Sequence, residues 1–291
     1  MSRFILSEPV DYNSNNPHIS SVGHIFHNFL TGFILSKLSN YELLYAPISN
    51  DSVRFELFLN FNSLFKNVDI SQLEHYRFPV EFLNLSDQQL KVYLNDLLSK
   101  LKELPDNCLV TIGRDRFPGK LTKFYNLVKP DLQQAFWEKE RVYPERYKKN
   151  KINVGVHIRR GDITKSGNLD RWLDNSHYVE IINNIRKNIP NTLFHIFSHG
   201  NEKDFQELKN EDTLFHLNGS DIVSLNDMCF SDILVTGQST YSILASYLNK
   251  NIVIYTPLKD YMYNWQDELV YTYDNINFTK ARESLTHIYN R

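Results

Sequence analysis

At 291 residues and 42% apolar content, the chain can build one large domain or two small ones around a sizeable core. Its 32 Lys and Arg against 34 Asp and Glu leave a net charge of −2 with no basic stripe, which argues against a nucleic-acid footprint. Two cysteines, Cys108 and Cys229, allow no disulfide framework and no metal-ligand spacing, and neither a ~20-residue apolar span nor a signal-type N-terminus is present; two buried reduced thiols and a cytoplasmic location are expected.

Phe4-Ile5-Leu6 reads as an early strand, followed by an Asn-rich loop over 11–20. From Val22 to Leu38 apolar residues recur at 26, 29, 30, 33, 34 and 38, the spacing of a helix that opens at Gly23. A glycine there lets a phosphate or sugar approach free backbone N–H groups. His24 and His27 read equally as partly exposed histidines near a helix start. Tyr41 to Pro47 reads as a strand closed by proline. Residues 51–104 show helical patterns, the clearest from Asp87 to Leu104, capped by Ser86 and Gln89 and stopped by Pro105. Cys108 to Ile112 is a short buried strand. Leu121 to Val142 reads as an amphipathic helix kinked or divided at Pro130. The charged stretch Pro144 to Lys151 lacks periodicity and is taken as a linker, so the expected domains are 1–143 and 152–291.

The second half alternates. Strands are expected at 152–158, 193–197, 213–217, 233–236 and 252–255. Helices are expected from Ser176 to Pro190, at 202–208, at 222–230 and at 239–248. This is the pattern of a parallel, doubly wound α/β sheet.

The chemistry concentrates at strand ends. Asn153-Val154-Gly155-Val156-His157-Ile158-Arg159-Arg160-Gly161-Asp162 is a buried strand that delivers two guanidinium groups to its C-terminal edge, where open α/β sheets bind ligands. Strand alternation puts His157 and Arg159 on one face and Arg160 on the other, unless the turn at Gly161 lets both arginines reach one ligand. Guanidinium grips phosphate oxygens bidentately. Salt bridges to Asp162 or other carboxylates are the equal alternative. In Asp232 to Ala245 a second buried strand exits at Gly237 into a helix capped by Ser239 or Thr240. Free N–H groups, the helix dipole and hydroxyls converge there as an anion site, although any capped helix start shows the same pattern.

His157-x-Arg159-Arg160-Gly161-Asp162 resembles the signature of the GDP-fucose-dependent fucosyltransferases, especially the α1,2 and α1,6 superfamily. Ser239-Thr240-Tyr241-Ser242, followed by an Ala-containing helix, is similar to the last motif of that family. Gly23 matches its first motif in part; where the family has Gly-x-Gly-Asn, this chain has Val22-Gly23-His24-Ile25. The resemblance implies a GT-B-like enzyme of two Rossmann-type halves. The acceptor side lies in the N-terminal half, the nucleotide-sugar site in the C-terminal half, and the acceptor in the cleft between them.

It further implies inverting, metal-independent transfer of fucose from GDP-fucose to a glycan hydroxyl, with no cofactor. Arg159, Arg160, Ser239, Thr240, Tyr241 and Ser242 would hold the diphosphate, with Gly23, His24 and His157 nearby. An acidic residue would meet the guanine donor edge, Asp221 first and Asp227 second, while Asp232 could be a structural cap. His199, in Ser198-His199-Gly200 after the second strand, would meet the base or ribose. Arg159 would stabilise the leaving group. Asp162 and Asp170 are the candidates for receiving the acceptor proton, and Trp172 is either an acceptor platform or core. The alternatives are another nucleotide sugar on the same scaffold, or a non-catalytic nucleotide- or glycan-binding protein.

Overall fold

A computed structural model describes residues 3–7, 22–44, 53–65, 68–79, 85–113, 124–165, 172–256 and 268–286. The described residues up to Lys139 form one compact unit and those from Glu140 form another.

The first unit contains β1 (Phe4–Ser7), α1 (Val22–Ser39), β2 (Glu42–Leu43), α2 (Val53–Leu59), β3 (Glu74–Phe78), α3 (Asp87–Glu103), β4 (Cys108–Ile112) and α4 (Lys129–Glu138). Its strands make a parallel four-stranded sheet in the order β2-β1-β4-β3. Helix α3 forms as its sequence requires. Ser86 and Gln89 close a capping box, and Leu90, Leu94, Leu97 and Leu101 form the buried stripe. Strand β3 escapes sequence reading because Glu74-His75-Tyr76-Arg77-Phe78 is an edge strand with mostly exposed side chains. Pro130 lies in the first turn of α4, where a missing N–H costs no helical bond; it starts the helix instead of kinking it.

The second unit contains β5 (Ile152–His157), α5 (Asn175–Asn188), β6 (Thr192–Ser198), β7 (Thr213–Leu217), α6 (Asp221–Phe230), β8 (Ile233–Thr236), α7 (Thr240–Leu248), β9 (Ile252–Tyr255), β10 (Val270–Thr272) and α8 (Phe278–Ser284). The helix expected at 202–208 is present over Glu202–Leu208 as a 3-10 helix. The parallel sheet runs β10-β9-β8-β5-β6-β7, which is the 3-2-1-4-5-6 order of a doubly wound nucleotide-binding fold. Strand β5 is buried along its whole length. Val154, Val156, Phe194, Ile196, Ile233 and Val235 pack with Tyr178, Ile181, Ile182 and Ile185 of α5 in one core. Both units are thus parallel α/β, the class expected from the alternation.

The stretch 144–151 is not a free linker. Tyr147 is buried, and its hydroxyl donates to the Asp227 carbonyl at 2.7 Å and meets Ser231 Oγ at 2.8 Å. The Lys148 amide donates to Asn153 Oδ1 at 2.9 Å. A charged run gives no hint of such anchoring, which depends on partners some 80 residues away.

Beside Tyr147 lies a buried hydrogen-bond chain. Arg146 Nη1 is 2.8 Å from His216 Nδ1, His216 Nε2 is 2.9 Å from His195 Nδ1, and His195 Nε2 is 3.2 Å from Asn153 Oδ1. Arginine can only donate, so His216 accepts at Nδ1 and donates from Nε2, and His195 passes the same polarity to Asn153. Both imidazoles are therefore neutral. Burial first, and then the charge of Arg146 with the His195–His216 contact, lowers the pKa of His195 to about 3; burial and Arg146 lower that of His216 to about 4.

A histidine held neutral in the fold stabilises it fully above its ordinary pKa of 6.5. That stability is lost as pH falls toward the folded-state values, because the unfolded chain takes up the proton first. Each such group contributes a slope of about 1.4 kcal/mol per pH unit within that window. The second unit should lose stability steeply between about pH 6.5 and pH 4. His216→Asn should flatten that slope in denaturant melts taken across the range, and an unchanged slope would refute the assignment.

Candidate functional site

The order reversal between β5 and β8 opens a crevice at the C-terminal edge of the sheet. Two chain segments meet there, residues 157–162 after β5 and residues 237–242 after β8. They are pressed together at Gly237. A Cβ on that residue would lie 2.7 Å from the His157 carbonyl oxygen and 3.2 Å from both His157 Nδ1 and the Tyr178 hydroxyl. Only glycine permits that approach.

Strand alternation survives to the end of β5 and separates the two arginines. Arg159 turns toward α7. Its Nη1 donates to Ser239 Oγ at 3.3 Å and its Nη2 pairs with Asp162 at 2.6 Å, while its buried Nε has no protein partner. Arg160 turns the other way. Nη1 donates to the Arg159 carbonyl at 2.8 Å, and Nη2 donates to the Leu173 carbonyl at 2.8 Å and to Asn175 Oδ1 at 2.9 Å. The Trp172 ring centroid lies 3.7 Å from the Arg160 guanidinium carbon, a cation–π stack. Arg160 therefore ties the exit of β5 to Trp172, Leu173 and Asn175 at the entrance to α5, and the two guanidinium groups do not converge.

Ser239 is the N-cap of α7. Its hydroxyl accepts from the Tyr241 amide at 3.3 Å as well as from Arg159. Thr240 opens the helix. Ser242 is buried and donates to the Gly237 and Ser239 carbonyls at 3.3 and 3.1 Å, so its hydroxyl braces the turn. The Tyr241 hydroxyl donates to the Asp221 carbonyl and ties the start of α6 to the start of α7. Burial pushes the pKa of that hydroxyl up and keeps it a donor. The His157 ring lies 5.6 Å from that of Tyr241. Burial first, then Arg159 and His199, lowers the His157 pKa to about 3, so the imidazole is neutral.

Topology separates the two base-reading candidates. Helix α6 leaves the C-terminal edge after β7 and descends to the N-terminal edge before β8. Asp221 opens it, on the same edge as Arg159 and Ser239. Asp227 lies six residues further on, buried, with its carbonyl in the Tyr147–Ser231 network and burial raising its carboxyl pKa. The structure thus brings Asp221 to the site edge and removes Asp227 from it. Asp232 also sits at the far edge and accepts the Asn153 amide at 2.8 Å, in keeping with a structural cap.

His199 is exposed after β6. Its side chain packs on Gly161, whose φ of 91° and 3.3 Å clearance to the His199 Cβ both favour glycine. A cavity of about 640 Å³ opens on this side, lined by Arg160, Trp172, Asp174, His199, Asp204 and Glu207 among others. Asp170 lies outside the described residues. Gly23 and His24 fall in the first turn of α1 in the first unit, and the His24 side chain is likewise outside the described set. Gln238 was not legible as a site residue, because a single glutamine carries no motif. It is 9% exposed, and its Oε1 has no protein partner.

The arrangement at the crevice suits a diphosphate. It offers one guanidinium, the N-terminus of a nine-residue helix and a capping hydroxyl, in surroundings that exclude water from one side. Among the described residues no cluster of three or more His, Cys, Asp or Glu could hold a metal ion. No described helix is long and apolar enough to cross a membrane.

Residues 136–276 match the family model described as Glycosyl transferase family 11. No curated protein is significantly similar to the chain in sequence. Among solved structures, POFUT1 in complex with GDP-fucose is similar at 12% identity and a TM-score of 0.48, covering 93% of this chain and 97% of that one. The E. coli heptosyltransferase WaaC with ADP is similar at 12% identity and a TM-score of 0.42, covering 98% and 99%. Those likenesses are too slight to carry an assignment, and the family match stands without them. The segment 136–276, which holds the crevice and both of its motifs, is thus the part of the chain that is similar to Glycosyl transferase family 11.

Proposed function

We propose that the chain transfers fucose from GDP-fucose to a hydroxyl of a glycan acceptor, with inversion and without a metal. The observation that carries this reading is Arg159, held against the N-cap of α7 with an unpartnered buried Nε. As the glycosidic bond to phosphate breaks, negative charge grows on the leaving GDP. A preorganised cation and helix N-terminus stabilise that charge more in the transition state than in the ground state. Asp221, at the same edge, is the acceptor for the guanine N1–H and N2–H₂ donors. Its carbonyl accepts from the hydroxyl of Tyr241, in the first turn of α7, which supports a nucleoside lying toward α6. Asp162 is engaged by Arg159 and becomes available to the acceptor hydroxyl when phosphate displaces it from the guanidinium. His157, neutral and buried, can hydrogen-bond the donor without adding charge.

A panel of nucleotide sugars, read by thermal shift and by turnover on glycan acceptors, tests the donor assignment. GDP-fucose should give the largest shift, and turnover should persist in EDTA. Activity lost in chelator and restored by Mg²⁺ or Mn²⁺ would refute the metal-independent mechanism, and a stronger response to another nucleotide sugar would replace the donor.

The two arginines should separate in the same assays. Arg159→Ala should reduce turnover on the order of 10²–10³ with little loss of thermal stability, and Arg159→Lys should rescue poorly, since an ammonium cannot reproduce the fork. Arg160→Ala, by contrast, should lower the melting temperature through loss of its bonds to Leu173 and Asn175 and its stack on Trp172. The reverse pattern would reassign both residues.

Asp221→Asn should weaken GDP binding about 10- to 100-fold in calorimetric titration, as expected for a lost charged hydrogen-bond partner. Unchanged GDP affinity would move base recognition elsewhere.

A further inference from the structure

Gln238 has a buried acceptor that the diphosphate reading leaves unused. The residue is 9% exposed, and its Oε1 makes no hydrogen bond within the protein. Buried polar groups are nearly always paired, so an unpaired one beside a ligand site points to a partner that arrives with the ligand. The chain has little freedom to turn it elsewhere. Gly237 on one side is pressed against the end of β5, and Ser239 on the other caps α7 and holds Arg159.

The chemistry of the atom narrows the partner. An amide oxygen accepts and cannot donate. The ionised diphosphate offers only acceptors, so it cannot satisfy Gln238 Oε1. The donors on a nucleotide sugar are the base N–H groups and the hydroxyls of the ribose and the transferred sugar. Asp221 is tied by Tyr241 to the residues that follow the N-cap, which places the nucleoside on that side. Gln238 precedes the N-cap and follows Gly237, which is the residue packed against the unpartnered Nδ1 of His157. The group bonded to the opposite end of the diphosphate is the transferred sugar.

We propose that Gln238 is a specificity-determining residue that accepts a hydrogen bond from a hydroxyl of the transferred sugar. This rests on reading the second unit as a GDP-sugar transferase. It predicts that Gln238 contributes to affinity for the whole donor and not to affinity for GDP. The distinction separates a sugar contact from a structural role, which would change both.

The test is calorimetric titration of the wild type, Gln238→Met and Gln238→Glu with GDP and with GDP-fucose in the absence of acceptor. Met keeps the length and removes the acceptor; Glu keeps an acceptor oxygen. Gln238→Met should bind GDP within about twofold of wild type and GDP-fucose roughly tenfold more weakly, with kcat/KM falling by a similar factor. Gln238→Glu should stay closer to wild type. If Met destabilises the fold, Gln238→Asn, which withdraws the amide by one methylene, serves the same comparison. Equal weakening for GDP and GDP-fucose would place Gln238 on the nucleotide and overturn the proposal, as would unchanged affinity for both. A wild type that binds GDP while the variant shows no donor-specific loss overturns this assignment alone. A wild type that fails to bind GDP overturns the transferase reading and this assignment with it.

Discussion

The pairing of β5 with β8 is the constraint on which the site depends. These strands are distant in sequence yet adjacent in the sheet, with Val154, Gly155 and Val156 opposite Ile233, Leu234 and Val235. Their parallel register brings the residues after His157 and after Thr236 to one edge, and the order reversal beside them leaves that edge open. Gly237 completes the approach by removing the side chain that would strike the His157 carbonyl. Without this contact the arginine after β5 and the helix cap after β8 would be two unrelated surface features. With it, a cation and a helix N-terminus meet at Ser239.

The same geometry divides labour between neighbouring residues. Arg159 and Arg160 are chemically identical, yet alternation along an extended chain sends them to opposite sides. One reaches the N-cap of α7 and the other reaches Leu173, Asn175 and the Trp172 ring. Arg160 forms three hydrogen bonds to oxygen and one aromatic stack, and it lines the adjoining cavity together with Trp172 and Asn175. Arg159 keeps one buried nitrogen without a hydrogen-bond partner. A site made to bind charge carries such a nitrogen at a cost to stability, whereas a purely structural arginine has its donors used.

At the opposite edge of the sheet the chemistry is inverted. Arg146, His216, His195, Asn153, Tyr147, Ser231 and Asp232 form bonds largely to one another. This network secures the entrance to β5 and the turn before β8, so the pairing that builds the site is anchored from below. Asp227 belongs to this edge through its carbonyl. Helix α6 is long enough to put its first residue at the site and its seventh at the anchor.

The sequence by itself determined most of the second unit. Apolar β-branched runs bounded by Gly, Pro and Ser can form only buried strands and capped helices, so the alternation, the capping of α3 and α7 and the two strand-end motifs were all readable locally. Edge strand β3 and strand β10 were not, because exposed or short elements carry little periodic signal. Only the tertiary structure decided which of two like residues lies at the crevice. Arg159 rather than Arg160 reaches the N-cap of α7, and Asp221 rather than Asp227 reaches the C-terminal edge, because of where a side chain points at a strand end and how far along a helix it sits. The anchoring of 144–151 and the unsatisfied oxygen of Gln238 likewise depend on partners far away in the chain. Local sequence specifies what a residue can bond to; the packing of distant segments decides which partner, if any, is within reach.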